Sequence, residues 1–414
     1  MFISADSFTK FFINMSSNST FSRRTFIKSS AAGVTGAMAM GAAFSGVAAI
    51  KNEIDLDKIV YRDLGKTGLK LPVVSMGVMR SDNPNLVKAA LRSGISHLDT
   101  AHGYQGGRNE EMLGRLLREF PRESFVIATK IRGEGENELP DAEVEARFLG
   151  NFEISLRRLQ MEYVDILYLH SASSREYTLH PAYLSAMKKL VESGRVRFTG
   201  VSTHSNEPEV ITAVAESNFY NVVLTSYNFQ QKHLPDLNAA IETASKAGVG
   251  VVAMKTMAGG YMDKDRTTKV NARAALKWAL QNEHINTAIP GFTSFDEMEE
   301  SWSVVTDLEL TDQEKRDLQL SYNRGSMYCN GCRTCLAQCP QKLAIPDAMR
   351  AYMYAYGYGQ TRDARNLLAE VGIDRQACSD CNKCDVQGCP QQFDIKTKMQ
   401  DITRLLDVPS EFMV

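Results

Sequence analysis

The stretch Leu98-Asp99-Thr100-Ala101-His102-Gly103-Tyr104 decides the organisation of this chain. It begins as the end of an apolar strand and continues as a loop. It therefore places the carboxylate of Asp99 and the phenol of Tyr104, five residues apart, at the rim of whichever sheet contains the strand.

Two later stretches bring further ionisable groups to the same kind of position. The β-branched run Phe125–Thr129 leads into Lys130, and the run Tyr163–Leu169 leads into His170. An Asp, a Tyr, a Lys and a His at successive strand ends form a set that can tune a proton donor. Such groups on three consecutive strands indicate a catalytic site.

The motifs LDTAHGY, ATKI and LYLHS resemble those of the aldo-keto reductases, and the resemblance extends from about residue 61 to residue 305. It implies an enzyme that moves hydride reversibly between a nicotinamide cofactor and a carbonyl or alcohol carbon. In such a site Tyr104 is the acid/base group, and Lys130 lowers the pKa of its phenol, which is ordinarily near ~10. The resemblance also implies that Asp99 holds the lysine and that His170 orients the carbonyl oxygen.

Alternating strand and helix patterns follow a short hairpin at Asp63–Leu69. Each strand is short, apolar and β-branched, as expected of strands that are buried on both faces. The predicted strands are Val73–Gly77, His97–Asp99, Phe125–Thr129, Val164–His170, Arg197–Val201, Val222–Ser226, Gly250–Met254 and Asn286–Ile289. Eight strand–helix units in about 250 residues predict a closed (β/α)8 TIM barrel over residues 57–306, with its site at the carboxyl ends of the strands.

The alternative α/β architecture is a doubly wound open sheet. That architecture requires a Gly-x-Gly-x-x-Gly turn after the first strand. No such turn follows Val73–Gly77, so the sequence favours the barrel.

Cofactor contacts follow from the resemblance, with departures from the family pattern. It implies that Ser202 and Thr203 hold the nicotinamide amide, although Thr203 stands where asparagine is common. Leu224 occupies the place of a frequent glutamine. Met254 stands where an aromatic ring usually stacks on the nicotinamide, and its polarisable thioether can still pack against a ring.

The segment Ile289–Ser301 resembles the loop that binds the adenine end of the cofactor. Its candidate contacts are Pro290, Gly291 and Glu300. Users of NADP in the family place a lysine and an arginine there, whereas this chain has Gly291 and Glu297. A carboxylate repels the 2′-phosphate, so the sequence favours NAD over NADP. Positive charge from Lys269 or Arg273 could reverse that preference.

All eight cysteines lie from Cys329 onwards, which indicates a local module. The first run is Cys329-x2-Cys332-x2-Cys335-x3-Cys339 and the second is Cys378-x2-Cys381-x2-Cys384-x4-Cys389, each followed by proline. These runs resemble the ferredoxin pattern for 4Fe–4S clusters, in which the fourth cysteine of a run ligates the other cluster. The pattern implies one cluster on Cys329, Cys332, Cys335 and Cys389 and a second on Cys378, Cys381, Cys384 and Cys339.

Zinc and disulfides are the alternative uses of these cysteines. A zinc site would use two CxxC pairs and leave four thiols without a role. Disulfides are compatible with an exported protein, but tandem CxxC triplets do not pair cleanly. Two 4Fe–4S clusters account for every cysteine.

The part of the chain after residue 306 departs from the barrel pattern. We expect a charged linker helix over residues 307–328 and a small helical ferredoxin-like module over residues 329–400. Within the module, Leu343–Gln376 is expected to pack as helices. The tyrosines of Tyr352–Tyr358 are expected to lie in its core or at an interface rather than to form an electron route.

Residues 1–50 are typical of a targeting segment. The run Ser22–Lys28 contains paired arginines and resembles the twin-arginine export signal, and the weakly hydrophobic Ala31–Ile50 follows it. We therefore expect a periplasmic or otherwise exported protein, with no membrane span after signal removal. Met15 is an alternative start. The 414 residues carry a net charge of −2, which argues against nucleic acid as a partner.

The expected function is that of an exported oxidoreductase acting on a small carbonyl or alcohol substrate, with two clusters for electron transfer and a possible redox partner protein. The alternative is a nicotinamide-binding redox sensor or electron-transfer subunit without turnover. Clusters exchange single electrons whereas nicotinamide exchanges hydride, and no flavin motif is present to connect the two. The identity of the substrate is not readable from the sequence.

Overall fold

A computed structural model describes residues 55–134, 138–262, 266–322, 328–329, 331–378, 386, 388–391 and 393–413. The strands in this part of the chain are β1 (Tyr61–Asp63), β2 (Lys70–Pro72), β3 (Met76–Gly77), β4 (His97–Asp99), β5 (Val126–Arg132), β6 (Val164–Ala172), β7 (Val196–Thr203), β8 (Val222–Ser226), β9 (Gly250–Met254) and β10 (Thr287–Ala288). The predicted export signal at residues 1–50 lies outside the described residues.

The α-helices lie between and after these strands. They are α1 (Pro84–Ser93), α2 (Arg108–Leu117), α3 (Asp141–Leu159), α4 (Arg175–Thr178), α5 (Pro181–Glu192), α6 (Glu207–Ser217), α7 (Leu234–Ala247), α8 (Ala272–Leu280), α9 (Phe295–Trp302), α10 (Asp312–Tyr322), α11 (Ile345–Tyr352), α12 (Thr361–Glu370) and α13 (Ile395–Thr403). Within the described residues, no helix has both the length and the apolar character needed to cross a membrane.

Strands β3 to β10 form one parallel sheet in which neighbours in the chain are neighbours in space. A parallel bridge between Val74 and Ala288 joins the first strand region to the last. Backbone hydrogen bonds from Ser75 to Ala288 (2.8 Å) and from Gly77 to Pro290 (3.0 Å) support the same junction. The predicted (β/α)8 barrel is thus confirmed.

The hairpin β1–β2 covers the amino ends of the barrel strands. Leu64 and Leu71 are fully buried and pack with strand residues in the barrel interior. Burying each of them contributes about 2 kcal/mol. A Cβ placed on Gly65 would lie 2.4 Å from the backbone nitrogen of Gly250, so only glycine permits this close approach. The opposite end of the barrel is left for the site.

Three barrel strands extend beyond their predicted ends: β5 continues to Arg132, β6 to Ala172 and β7 to Thr203. Lys130 and His170 therefore lie inside strands, whereas the sequence pattern predicts Lys130 just after a strand and His170 at the end of one. Both side chains still face the carboxyl end of the barrel, because they line the cavity described below.

The chain after the barrel forms helix α10, within the predicted linker, and then a helical module. Helix α11, the π-helical turn Met353–Gly357, α12 and α13 share one buried core, in which Ala348, Leu368 and Met399 are fully buried. Several cysteines pack against this core. The prediction that Leu343–Gln376 packs as helices is confirmed for the residues that the structure describes.

Candidate active site

A buried ion pair lies at the centre of the site. The ammonium of Lys130 donates to the carboxylate of Asp99, to the carbonyl oxygen of Thr100 (2.7 Å) and to the phenol oxygen of Tyr104 (3.3 Å). Lys130 and Asp99 are almost completely buried, with side-chain exposures of 1% and 2%. The three side chains predicted to work together therefore contact one another.

Burial dominates the electrostatics of this group. Burial raises the pKa of Asp99 and lowers that of Lys130, while the opposite charge of each partner offsets the shift of the other. Burial, with the nearby charge of Asp99, raises the pKa of Tyr104 well above its usual range. The sequence-based expectation of a lowered phenol pKa is therefore wrong for this arrangement. At neutral pH the phenol of Tyr104 is therefore protonated.

His170 completes the group across the cavity. Its ring meets that of Tyr104 edge-on, with centroids 6.0 Å apart. Burial and the neighbouring cations, Lys130 first among them, lower the pKa of His170 well below its usual range. The imidazole is therefore neutral and carries one N–H, which it can donate to a carbonyl oxygen.

The four side chains line a single cavity of about 290 Å³ at the carboxyl end of the barrel. Five of the six predicted cofactor residues line it as well: Ser202, Met254, Pro290, Gly291 and Glu300. Thr203 does not line the cavity. Its hydroxyl is fully buried and hydrogen-bonds to the carbonyl oxygens of Ala172 (2.8 Å) and Ser205 (3.0 Å), so it serves the backbone at the end of β7.

At the predicted adenine end, Glu297 has a local structural role. Its carboxylate accepts hydrogen bonds from the backbone N–H (2.8 Å) and hydroxyl (3.0 Å) of Thr293, which fixes the start of α9. Arg273 is held by Ser303, Asp307 and Glu314, away from the cavity lining. Lys269 lines the cavity together with Glu297.

Comparison with known proteins agrees with this geometry. Residues 75–273 match the profile of the Aldo/keto reductase family. The chain contains an aldo/keto reductase domain. Residues 328–394 match the profile of the 4Fe-4S dicluster domain, so a second domain follows the barrel.

Two curated relatives match this chain over most of their own length. L-galactose dehydrogenase of Arabidopsis thaliana is 28% identical over 297 residues, covering 61% of this chain and 90% of that protein. L-glyceraldehyde 3-phosphate reductase of Escherichia coli O157:H7 is 26% identical over 316 residues, with coverages of 61% and 90%. Both names denote oxidoreductases.

A solved aldo-keto reductase of Bacillus halodurans in its holo form has a similar fold. The TM-score is 0.51 at 22% identity, with 64% of this chain and 96% of that chain covered. At this identity the similarity concerns the barrel fold alone, and it agrees with the strand order described above.

The dicluster domain contributes directly to the cavity of the reductase domain. Tyr354, Gly357 and Tyr358 line the cavity. A Cβ placed on Gly357 would lie 2.8 Å from the carbonyl oxygen of Gly259, which shows how closely the two domains approach. The guanidinium of Arg80 lies 5.0 Å from the ring centroid of Tyr358. The sequence gives no indication of these contacts, because residues 98 and 278 positions apart come together only in the fold.

Two cationic residues lie next to His170. Lys255 follows β9, lines the cavity and has its ammonium 5.8 Å from the ring centroid of Tyr354. The guanidinium of Arg350 lies 2.8 Å from Nε2 of His204 and pairs with Asp347 at 2.6 Å. Burial, followed by the charge of Arg350, lowers the pKa of Lys255 well below its usual range. A nearby anion would favour its charged form.

Among the described residues, Cys329, Cys335, Cys339 and Cys389 are free thiols, which argues against the disulfide alternative for these four. Burial raises the pKa of Cys329 to about 12, and the nearby Cys335, Cys332 and Cys389 also raise it. Cys389, from the second run, is therefore close enough to interact with the first three thiols. Cys381 and Cys384 lie outside the described residues.

The donor chemistry of Cys329, Cys332, Cys335 and Cys389 fits a 4Fe–4S cluster, because thiolate sulfur is the usual ligand of such clusters. Within the described part of the chain, no three His, Cys, Asp or Glu side chains form a closed set of metal ligands. The four thiols therefore fit a cluster by their chemistry and by being close enough to interact with one another.

Proposed function

We propose that this protein is an oxidoreductase that uses NAD or NADP to interconvert a carbonyl compound and an alcohol. The contact of Tyr104 with Lys130 inside the cavity carries this proposal. A nicotinamide cofactor, when bound, supplies or accepts the hydride. Its predicted contacts Ser202, Met254, Pro290 and Gly291 line the same cavity, which supports their role in holding it.

The residues of the cavity handle the proton. In the reduction direction, the oxygen of the substrate becomes negatively charged as hydride reaches the carbon. Tyr104 donates its proton to that oxygen, and the ammonium of Lys130 stabilises the phenolate that remains. Because the phenol pKa is raised by burial, this stabilisation is needed for the transfer. His170 donates a hydrogen bond that orients the oxygen. In the oxidation direction the proton returns to Tyr104.

NAD is the proposed preference over NADP. The Glu297 carboxylate lines the cavity at the predicted adenine end and would repel a 2′-phosphate. Lys269 offers a positive charge in the same lining, and Arg273 is committed to other partners. The lining also contains Arg80, Arg266 and the carboxylate of Glu300, so the preference rests on Glu297 at the position where users of NADP place a cation.

The dicluster domain is proposed to carry two 4Fe–4S clusters that exchange electrons with a redox partner protein. The six described thiols support thiolate ligation. Export through the twin-arginine pathway to the periplasm remains part of the proposal, and it is supported by the paired arginines within Ser22–Lys28. That pathway suits a protein that must assemble clusters before it crosses a membrane.

The decisive experiment replaces one phenol hydroxyl at a time. Wild type is assayed with NADH and NADPH against a broad panel of aldehydes, ketones and oxo acids. Tyr104→Phe should lower kcat/KM by about 10²- to 10⁴-fold while cofactor binding is retained. Tyr168→Phe is the matched control, since Tyr168 is buried behind the cavity and its hydroxyl has no partner within the described residues. That control should retain the activity of wild type.

Two results would contradict the proposal. One is a Tyr104→Phe variant that is as active as wild type. The other is a wild type that binds nicotinamide but reduces no compound of the panel, which would favour the redox sensor. The position of Leu224 in the barrel core and the backbone role of Thr203 are the features that favour that second function.

A further inference from the structure

A single wall separates the catalytic cavity from the cysteines of the first cluster. Lys255 and His204 line the catalytic cavity, and they also line a second cavity of about 10 Å³. The second cavity is bounded by Cys329 and by Arg350 of the dicluster domain. Its volume is that of about one water molecule, so no larger ligand enters it.

The wall contains two basic side chains, Lys255 and Arg350. Among the described residues, no carboxylate lies within ion-pair distance of the Lys255 ammonium, whereas Arg350 is paired with Asp347. Lys255 also has a backbone φ of 57°, in the left-handed region that a lysine rarely adopts. Such a conformation is retained where the surrounding structure requires it, often at a functional site.

A 4Fe–4S cluster held by four thiolates is an anion, and it gains one further negative charge on reduction by one electron. The net charge around a cluster is one of the factors that set its reduction potential. Lys255 and Arg350 line one cavity with Cys329, so positive charge on either side chain stabilises the reduced form. Because Lys255 also faces the catalytic cavity, it attracts a phosphate or carboxylate group bound there.

Building on the function proposed above, we propose that Lys255 and Arg350 couple the redox state of the cluster at Cys329 to anion binding in the catalytic cavity. An anion in the cavity competes for the same positive charge, which makes reduction of the cluster less favourable. By thermodynamic linkage, reduction of the cluster weakens binding of the anion by the same factor. The anionic group is a phosphate of the cofactor or a carboxylate of the substrate. No bond is made or broken in this coupling; one electron enters the cluster from an external one-electron donor.

The test is a redox titration of the intact holoprotein, with mediator dyes as one-electron donors and the cluster followed by electron paramagnetic resonance. Redox-inert probes distinguish the two sources of anion: ADP-ribose carries phosphate, and oxalate carries carboxylate. Adenosine is the neutral control. We expect at least one anion to bind tenfold more weakly to the reduced protein, equivalent to a midpoint lower by about 59 mV. The responding probe identifies the source.

Two variants locate the effect. Lys255→Met should lower the midpoint of the cluster without ligand and abolish the shift caused by the anion. Lys246→Met removes an exposed lysine from α7 and should behave as wild type. An anion that binds without moving the midpoint of either cluster would overturn the coupling, as would an unchanged shift in Lys255→Met or the absence of any cluster signal. An enzymatically inactive protein that retains the shift would refute the proposed function and leave the coupling intact.

Discussion

The ammonium of Lys130 lies 3.3 Å from the phenol oxygen of Tyr104, while the same ammonium is bonded to the carboxylate of Asp99. In the proposed mechanism, one buried cation therefore serves both the carboxylate of Asp99 and a phenol that becomes an anion only during turnover. This sharing explains how a phenol with a raised pKa can act as a proton donor. The phenolate of Tyr104 is stabilised by the charge on Lys130. Burial by itself favours the neutral form of this lysine, and Asp99 offsets that effect.

Removing that cation should affect catalysis more than folding. Lys130→Met keeps the length of the side chain and leaves the Asp99 carboxyl, whose pKa burial raises, free to bind a proton. We expect kcat/KM to fall by about 10²- to 10⁴-fold, the usual range for loss of acid/base assistance. Steady-state kinetics, together with cofactor binding by fluorescence, checks this. If kcat/KM stays within the range of wild type, Lys130 has no part in proton transfer.

Cofactor preference should respond to the charge at position 297. Glu297→Gln retains an oxygen that can accept from Thr293 but removes the negative charge near the predicted 2′-phosphate. We expect the ratio of kcat/KM for NADPH to that for NADH to rise by roughly tenfold, or about 1.4 kcal/mol. Glu299→Gln, on the same helix but outside the cavity lining, is the control. A ratio that is equal in both variants would show that Glu297 does not face the phosphate.

Stability should rise with pH through the titration of His97. This histidine is fully buried in β4, and burial lowers its pKa from 6.5 to about 4. Between these values the unfolded chain binds a proton that the folded chain does not. The free energy of unfolding is therefore highest above pH 6.5 and falls towards pH 4, by up to about 1.4 kcal/mol per pH unit.

The measurement compares urea unfolding of wild type and His97→Gln between pH 7.5 and 5.5. The variant should lose this part of the pH dependence, since glutamine does not titrate. A pH dependence that is the same in both proteins would show that the lowered pKa of His97 makes no contribution to it.

Lys277 should be essential for the attachment of α10 to the barrel. Its ammonium is fully buried in α8 and donates to Asp307 (2.7 Å), the carbonyl oxygen of Glu309 (2.6 Å) and Glu314 (3.3 Å). Lys277→Met leaves the Glu314 carboxylate buried without this partner, which should lower the free energy of unfolding by roughly 3 kcal/mol. Thermal unfolding checks this against Lys246→Met, whose lysine is exposed. Equal transition temperatures would contradict the prediction.

The fourth ligand of the first cluster should come from the second cysteine run. Cys389 interacts electrostatically with Cys329 and Cys335. We therefore expect Cys389→Ser and Cys332→Ser to perturb the same paramagnetic cluster signal and to leave the other intact. Iron analysis should show a loss of up to about four iron atoms in each variant. Perturbation of different signals by the two variants would require another distribution of ligands.

The barrel could be predicted because each of its strands is a short apolar run, a local property that is visible in one stretch at a time. Strands β4, β8 and β9 have the predicted bounds, whereas β5 and β6 extend further because neighbouring strands pair with them there. The catalytic residues could be predicted for the same reason: Asp99 and Tyr104 occur in one motif.

The cofactor residues were less predictable. Ser202 and Thr203 are adjacent in the chain, yet only Ser202 lines the cavity, because the hydroxyl of Thr203 bonds to the backbone of the next turn. The lowered phenol pKa was also expected from the presence of Lys130, but burial outweighs it, and burial depends on the whole barrel.

The sequence by itself determined the alternation of strands and helices, the candidate catalytic group and the cysteine runs proposed to bind clusters, because each depends on residues that are close together in the chain. Only the tertiary structure decided that Arg350, Tyr354 and Tyr358 of the dicluster domain lie against His204, Lys255 and Arg80 of the barrel. Such contacts join residues more than 90 positions apart, and their energy comes from packing two domains against each other, which no local pattern encodes.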